Sequence, residues 1–476
     1  MILKTLKKII KSNKLLYFLT LKILKFKQKY TFNNILYNNK KLQQYVQKEI
    51  LKLNSELILR KNFRTVCVIW EGSGRLKYIF QNKNKDKINL IKIPRSLFTP
   101  AWTIFLKTYL DENSKNINLG EYALDSYYKK KFANDRKNFR KFCAKIIDLI
   151  CLNYDVDLFL MPKLNDDWTI DFIDTLNQKK KKILVDDRES TITLQRLKKV
   201  SPKLKKLVNI KFNLLTAHND FHKQLFINGG FDKNRIVVNG APETDFWFYP
   251  KEWKSAKELH PDLSCEKIKI LFFSFGPRTY LNFYYGNETR TWNYLNDSYH
   301  NVIFKLLEQY SDRIQIVYKF GGKPLRDLYY NYDKFILKSE RFIKSKSLLI
   351  LDGTYNSQNL TLNSDIILGF QTSGVIEAMF TKKPIVYGAW GSFYNDIKNT
   401  LLPLHDDKLL NWCKSENDLY LCLDELINND YKRKVDKYQL SFRKKIRDLY
   451  FKNSDGMVSE RIINYCYDII NLKKFY

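Results

Sequence analysis

The chain has 476 residues, more than one hydrophobic core usually organises, and 44% of them are hydrophobic. Aromatic residues make up 15% of the sequence, which excludes a disordered chain. The formal net charge of +33 does not by itself indicate nucleic-acid binding, because lysine is abundant everywhere in the chain, as A/T-rich codon usage would make it. We predict two large folded domains with a basic surface that attracts anionic ligands.

The first thirty residues form a basic segment with apolar residues at near-helical spacing, which predicts an amphipathic helix. Its longest uncharged apolar run, residues 15–21, is too short to cross a bilayer. Two interpretations stay open. The helix lies on an anionic membrane surface, or it packs on the protein with its lysines in water.

Short apolar runs bounded by turn residues recur along the rest of the chain, with helical or polar segments between them. Such runs are typical of parallel strands that are covered on both faces. The runs lie at residues 66–70, 158–161, 183–185, 212–216, 235–238, 268–273, 314–318, 348–351, 365–368 and 384–387. This rhythm predicts an α/β fold with two Rossmann-like doubly wound domains that face a central cleft.

A polar, lysine-rich stretch through residue 266 separates the two sets of runs. We predict an N-terminal basic segment at 1–60, a first domain that binds the acceptor at 61–250, a second domain that binds a nucleotide sugar at 251–445, and a C-terminal helix at 446–476. Seven cysteines without a CxxC pair predict reduced thiols in the cores, and with them a cytoplasmic location.

The most informative segment is 363–389, NSDIILGFQTSGVIEAMFTKKPIVYGA. It predicts a strand, a turn of small residues, a short helix and a second strand. Thr372, Ser373 and Gly374 offer hydroxyl and backbone N–H groups at a helix start, where a phosphate binds well. Glu377 lies one turn later and is able to accept hydrogen bonds from ribose hydroxyls. The alternative is structural: Ser373 is an N-cap and Glu377 complements the helix dipole.

This segment resembles the nucleotide-binding signature of GT-B glycosyltransferases, most closely those of bacterial capsule and surface-carbohydrate synthesis and the related CDP-glycerol glycerophosphotransferases. Two further segments are similar: RIVVNGAPETD at 235–245, and the Asp-Arg-Glu sequence at 187–189. The resemblance spans roughly residues 60–445. It implies phosphate contacts for Thr372, Ser373 and Gly374 and a ribose contact for Glu377.

The resemblance also implies a role for Lys319 in neutralising the donor diphosphate. Many relatives carry Lys-x-His-Pro at this point, whereas this chain reads Lys319-Phe-Gly-Gly-Lys323-Pro, with no histidine. A role that needs an imidazole is therefore in doubt. GT-B enzymes need no metal for the leaving diphosphate, so we expect neither a metal nor a cofactor.

Other candidates follow predicted strands. Gly276 and Arg278 lie in the loop after the run at 268–273, where glycine allows close approach of the backbone and arginine binds phosphate. Glu71, Asp187 and Glu189 lie at strand ends of the first domain and are candidates for the general base that deprotonates an acceptor hydroxyl. Each could instead be an ordinary loop residue.

The five histidines show no metal-binding motif, and we interpret the pair His218 and His222 as a surface turn. We predict a glycosyltransferase that moves a sugar from a nucleotide-activated donor to a surface polysaccharide or lipid-linked acceptor, in the cytoplasm or on the inner membrane face. The alternatives are a CDP-polyol phosphotransferase of the same fold and a basic nucleic-acid-binding protein. The sequence shows no recognisable RNA-binding motif or helix-turn-helix to support the last alternative, so we expect no nucleic-acid partner.

Overall fold

The computed structural model describes most of the chain between residues 38 and 471. The described residues are 38–54, 59–70, 77–81, 88–98, 101–102, 130, 133–164, 168–187, 191–198, 200, 202–279, 281, 290–320, 331–430 and 435–471. The basic segment at 1–30 lies outside them.

Six parallel strands form the first sheet, in the order β2-β1-β3-β4-β5-β6. They are β1 (Arg64–Trp70), β2 (Ile88–Pro94), β3 (Leu158–Met161), β4 (Lys182–Asp186), β5 (Leu214–Ala217) and β6 (Ile236–Val238). The inner strands are mostly apolar, as expected for strands whose two faces are covered by helices.

Six more parallel strands form the second sheet, in the order β12-β11-β10-β7-β8-β9. They are β7 (Ile268–Phe273), β8 (Ile314–Lys319), β9 (Leu348–Leu351), β10 (Ile366–Gly369), β11 (Ile385–Gly388) and β12 (Asn411–Cys413). The chain builds outward from β7 to β9, then returns to the other side of β7 at β10. The two doubly wound sheets confirm the predicted fold class.

Helices pack on both sheets. Those before β7 are α1 (Asn39–Leu53), α2 (Lys77–Gln81), α3 (Ala133–Tyr154), α4 (Thr169–Gln178), α5 (Leu194–Lys198), α6 (Pro202–Lys206), α7 (Asp220–Asn228) and α8 (Ala256–Leu259). Those after it are α9 (Asn293–Tyr310), α10 (Tyr332–Lys344), α11 (Ser357–Asn363), α12 (Ser373–Ala378), α13 (Ser392–Ile397), α14 (Glu416–Glu425), α15 (Lys437–Tyr450) and α16 (Val458–Ile470).

The sequence missed two strands, β2 and β12, and both are edge strands. Strand β2 contains Asn89 and Lys92 among its apolar residues, and β12 has only three residues. An edge strand pairs on one side only, so its sequence tolerates polar residues that interrupt a buried strand. The ten predicted runs all correspond to strands, with ends that shift by one or two residues.

The chain crosses back to the first sheet at its C-terminal end. Helix α16 packs on the first sheet through Ile462, Ile463 and Cys466. The return passes close to Gly240, whose φ is +99°. A Cβ atom at Gly240 would lie 2.4 Å from the backbone oxygen of Lys452, so only glycine fits at this crossing. The predicted domain boundaries stay predictions.

The carboxylate of Asp245, in the segment that leaves the first sheet, holds the segment in which the chain returns to that sheet. Asp245 is fully buried and lies in the 3₁₀ turn Pro242–Phe248 that follows β6. Its Oδ1 accepts the N–H of Val458 at 3.0 Å, and its Oδ2 accepts the N–H of Ser459 at 2.8 Å. These are the first two N–H groups of α16, so Asp245 caps a helix that begins more than two hundred residues later.

The free thiols largely match the sequence interpretation. Four cysteines, Cys67, Cys143, Cys413 and Cys466, are buried in the cores. Cys265 is exposed, in contrast to the expectation of core thiols, because it lies in the polar loop before β7.

We predict that Asp245→Ala lowers the free energy of unfolding by about 2–3 kcal/mol, since two charge-assisted bonds at a buried helix start are lost. Denaturant unfolding followed by circular dichroism measures the change. The matched control is Asp436→Ala, which removes the exposed cap on Gln439 at the start of α15. Equal losses in the two variants would contradict the role given to the buried cap.

Candidate functional site

The turn Thr372–Gly374 lies at the carboxyl end of β10, beside the end of β7. This is the point where the strand order of the second sheet reverses. Ligands of doubly wound sheets bind in the crevice at such a point. The predicted phosphate turn therefore lies at the position where doubly wound sheets generally bind their ligands.

Thr372 is the N-cap of α12, and its side-chain oxygen accepts the N–H of Gly374 at 3.3 Å. Ser373, which we interpreted as either an N-cap or a phosphate ligand, is instead the first residue of the helix and is half-buried. A phosphate at this turn would compete with the Thr372 hydroxyl for the Gly374 N–H. The geometry is compatible with a capping role and with an anion contact.

Gly374 also has a packing role. A Cβ atom there would lie 2.9–3.0 Å from the ring of Phe273, the last residue of β7. The absence of a side chain at Gly374 thus lets α12 sit directly on the end of β7, and close packing alone is sufficient to require the glycine.

Gln371 precedes the turn and was missed by the sequence analysis. Its φ is +43°, a conformation that non-glycine residues rarely adopt. Its buried amide donates to the hydroxyl of Tyr387 at 2.7 Å and to the carbonyl of Leu402 at 3.1 Å, and it accepts the N–H of Leu402 at 2.9 Å. These bonds hold Gln371 in a backbone conformation that is unfavourable for a non-glycine residue, directly before the turn. No local sequence pattern reveals them.

Glu377 lies half-buried on α12. Burial, followed by the negative charge of Glu243, raises the pKa of Glu377 to about 8, while a hydrogen bond from Gln358 opposes the rise. Gln358 is buried on α11 and also donates to the backbone oxygen of Glu243 at 2.7 Å. The carboxyl group is thus placed between the two sheets and is more readily protonated than an ordinary glutamate.

The lysine of the Lys-Pro turn stabilises the helix that carries Gln358. The ammonium of Lys383 donates to the carbonyl of Thr361 at 3.0 Å, and also to the carbonyls of Leu362 and Ser364. These carbonyls lie at the C-terminal end of α11, where a cation is favoured. Burial lowers the pKa of Lys383 to about 8. This part of the signature is structural.

The loop after β7 turns back on itself. The N–H of Gly276 donates to the side-chain oxygen of Thr279 at 2.9 Å, so this amide is already used within the loop. Arg278 is half-buried. Ser274 donates its N–H to the carbonyl of Lys319 at 2.9 Å, which joins this loop to the end of β8.

Lys319 is 6% exposed, and its ammonium donates to the backbone oxygen of Asp352 at 2.8 Å. Burial lowers the pKa of Lys319, and the nearby Asp352 carboxylate opposes the shift. The ammonium lies at the carboxyl edge of the sheet, on the side of β7 opposite to the Thr372 turn. The Asp352 carbonyl uses one of the three N–H donors of this ammonium.

In the first sheet, Asp187 follows β4 and is buried. Its Oδ2 accepts the N–H of Leu164 at 3.3 Å, and its Oδ1 lies 3.4 Å from Nε2 of His222. Burial alone would raise the pKa of Asp187, but the hydrogen bond and charge of His222 lower the pKa to about 2. Such a carboxylate orients its neighbour well and accepts a proton poorly.

The interpretation of His218 and His222 as a surface turn is wrong. Both side chains are buried, at 0% and 1% exposure, where β5 leads into α7. The N–H of His218 donates to Nδ1 of His222 at 3.3 Å. The reason is a long-range contact with β4 that spacing within α7 does not show. Glu71 and Glu189 lie outside the described residues.

Within the described ranges, no group of three or more His, Cys, Asp or Glu side chains is arranged to hold a metal ion.

Solved structures match the chain along most of its length. A crystal structure of a UDP-N-acetylglucosamine 2-epimerase is 13% identical, with a TM-score of 0.50, over 87% of this chain and 98% of that one. A structure from Listeria monocytogenes assigned as a UDP-N-acetylglucosamine 2-epimerase is 10% identical, also with a TM-score of 0.50, over 86% and 98%. A glycosyltransferase from Rickettsia africae ESF-5 is 17% identical with a TM-score of 0.41, over 87% and 99%.

No protein-family profile and no curated protein sequence matches the chain. At these identities, the two likenesses with a TM-score of 0.50 bear on the fold alone. Together with the two parallel sheets, they identify the fold as the GT-B type.

We predict that Asp187 contributes about 2 kcal/mol of stability above pH 4, because its pKa falls from 3.8 in the unfolded chain to about 2 in the folded protein. A lowered carboxyl pKa stabilises the fold above the unfolded pKa, and the contribution is lost as the pH falls through the folded pKa. Urea unfolding of wild type and Asp187→Asn between pH 7 and pH 2.5 measures it. The stability difference between the two proteins narrows below pH 4; a constant difference contradicts the assignment.

Proposed function

We propose that the protein is a glycosyltransferase that binds a nucleotide sugar at the second sheet and transfers the sugar to a polysaccharide or lipid-linked acceptor bound at the first. The observation that carries this proposal is the position of the segment Thr372–Glu377 at the strand-order reversal of a doubly wound sheet. The resemblance of the same segment to the GT-B signature supports it.

In this proposal Glu377 accepts the ribose hydroxyls. The donor phosphates meet Thr372, Ser373 and Gly374 at the start of α12, with Gly276 and Arg278 in the loop after β7 and Lys319 at the end of β8. Charge that develops on the leaving diphosphate is stabilised by backbone N–H groups and basic side chains, without a metal ion.

The base that deprotonates the acceptor is proposed from the remaining candidates. A pKa of about 2 makes Asp187 a weak base, and both of its oxygens already contact other groups. We therefore assign Asp187 to orienting His222, and propose Glu71 or Glu189 as the base. In the sequence, Glu71 comes directly after β1 and Glu189 three residues after β4.

A second candidate function is epimerisation at C2 of a UDP-sugar, because both solved structures with a TM-score of 0.50 carry that assignment. Epimerisation requires a base strong enough to remove a carbon-bound proton. Among the described residues at this edge, Asp186 accepts a hydrogen bond from Thr216 at 2.5 Å and Asp187 has a lowered pKa, so neither suits this step. Epimerisation, like transfer, therefore depends on Glu71 or Glu189 as its base.

Incubation with UDP-N-acetylglucosamine in D₂O separates the two reactions by NMR. An epimerase incorporates deuterium at C2 of the sugar, whereas a transferase leaves C2 protonated. The CDP-polyol phosphotransferase alternative gains no support, since no histidine follows Lys319.

We predict that Glu377→Ala weakens binding of the nucleotide without unfolding the protein, because a half-buried carboxylate that binds ribose contributes little to packing. The lost hydrogen bonds are worth about 1.5–3 kcal/mol, or roughly ten- to hundredfold in affinity. Calorimetric titration with nucleotides selected by thermal shift measures the loss. Glu340→Ala, an exposed carboxylate on α10, is the matched control.

Ser373→Tyr fills the turn and abolishes the same saturable binding of one nucleotide per chain. Unchanged affinity in both site variants contradicts the proposed donor site. The nucleic-acid alternative predicts a different result: binding that grows with polymer length, falls steeply with salt and is insensitive to Ser373→Tyr.

None of the helices in the described part of the chain is long and apolar enough to cross a membrane. We propose that the enzyme works in the cytoplasm, at the inner membrane face, where its basic N-terminal segment contacts anionic lipid. We predict that deletion of residues 1–30 releases the protein from vesicles containing anionic lipid at physiological salt, while nucleotide binding is retained. Equal sedimentation of the full and shortened chains with vesicles contradicts the membrane role.

A further inference from the structure

A groove between α9 and α10 lies on the second sheet, away from the proposed donor site. Phe304 of α9 packs against Phe335 and Phe342 of α10, with ring centroids 5.7 and 6.3 Å apart, and this contact holds the two helices side by side. The groove has a volume of about 500 Å³ and is lined from the later turns of both helices, at 301–308 and 337–344. A helix that connects two parallel strands runs back toward the edge where the strands begin. The groove therefore lies toward the edge of the sheet opposite to the Thr372 turn.

The groove contains an apolar side chain that nothing in the described structure covers. Leu337 is 74% exposed, while the ring of Phe304 at the floor of the groove is buried. A single exposed leucine on a convex surface is ordinary. Leu337 instead lines a concave site with an aromatic floor, and apolar side chains of a partner would bury both.

Four cations and two carboxylates line the same groove. Arg341 of α10 pairs with Glu308 of α9 at 2.7 Å, and Lys344 pairs with Glu340 on its own helix at 2.9 Å. All four side chains are exposed, and ion pairs at exposed positions bind their partners weakly. An incoming carboxylate is therefore able to share these cations.

The other two cations are held by aromatic rings. Nζ of Lys305 lies 3.5 Å from the ring centroid of Tyr420 on α14, and Nζ of Lys338 lies 5.8 Å from the ring centroid of Phe304. A cation–π contact positions an ammonium group without neutralising its charge. The groove thus combines an apolar centre with an excess of positive charge at its rim.

We propose that this groove is the docking site of an acidic amphipathic helix from a partner protein. Two helices packed side by side present a groove that a third helix enters, with apolar side chains at three- and four-residue spacing as its anchors. These anchors cover Leu337 and Phe304. Carboxylates beside the anchors meet the cations of the rim. The inference does not depend on the proposed donor site, because the groove and the Thr372 turn lie at opposite edges of the sheet.

Charge and shape argue against three other occupants. A second copy of the chain carries the same net charge of +33, and the segment at 1–30 is basic, so the rim of the groove repels both. A lipid surface covers apolar side chains that project from a protein, whereas the apolar surface here lies in a concave site.

Fluorescence anisotropy of the full chain with a labelled peptide tests the inference. The peptide has leucines along one face of a helix and glutamates on the other faces, and a second peptide carries lysine in place of each glutamate. We expect saturable binding of one acidic peptide per chain, weakened by salt, and no binding of the lysine peptide. Leu337→Glu and Lys344→Glu each weaken binding of the acidic peptide roughly tenfold, because one removes the apolar anchor point and the other reverses a charge at the rim.

Two matched variants separate the groove from the general positive charge of the chain. Leu152→Glu changes a leucine that is 78% exposed on α3, beside the first sheet. Lys444→Glu changes an exposed lysine on α15 that, like Lys344, pairs with a carboxylate one helical turn away. Each control makes the same substitution as its partner variant in the groove, and both controls keep the affinity of the wild type.

The outcomes decide the inference in each case. Equal losses in the groove variants and in the controls show that the peptide binds by overall charge, and overturn the docking site. Failure of the wild type to bind the acidic peptide overturns it as well. Sedimentation with phosphatidylserine vesicles that Leu337→Glu abolishes, together with no binding of the acidic peptide, assigns the surface to lipid and overturns the protein partner. All four substituted side chains are exposed, and circular dichroism of each variant confirms that it is folded.

Discussion

The turn Pro242–Phe248 is held from both sides, and the relative position of the two sheets depends on it. Asp245 caps the helix that returns to the first sheet, and the carbonyl of Glu243 accepts a bond from Gln358 on the second. Trp247 stacks on Phe380 with ring centroids 5.4 Å apart and planes 6° apart. Three contacts of different chemistry, made by alternate residues, thus fix this short segment. Each contact joins the segment to a different part of the fold.

This arrangement links the proposed donor site to the segment in which the chain passes from the first sheet to the second. Phe380 follows Glu377 by three residues, so the ring that packs on Trp247 and the carboxyl group proposed to bind ribose move with the same helix end. A shift of the first sheet relative to the second would change the surroundings of Glu377 through Glu243 and Gln358. In the proposed donor site, nucleotide binding at the second sheet would therefore depend on how the two sheets are placed relative to each other.

The structural features that could be predicted from the sequence are those that depend on the local pattern of residues. Inner strands are apolar on both faces, and their order along the chain sufficed for the doubly wound fold. The edge strands β2 and β12 were missed because Asn89 and Lys92 interrupt the apolar run of β2 and because β12 has only three residues. In the site, the small-residue turn and Glu377 were recognisable from the segment itself. Gln371, Gln358 and Glu243 were not, since their roles arise from contacts between segments distant in the chain.

The difference between local pattern and long-range contact also explains why the interpretation of His222 as part of a surface turn was wrong. An i,i+4 pair of histidines that follows a strand is compatible with a solvated turn or with a buried cluster, and only the partner decides. That partner is Asp187, thirty-five residues earlier, at the end of the neighbouring strand. Parallel sheets bring such residues together because every strand ends at the same edge.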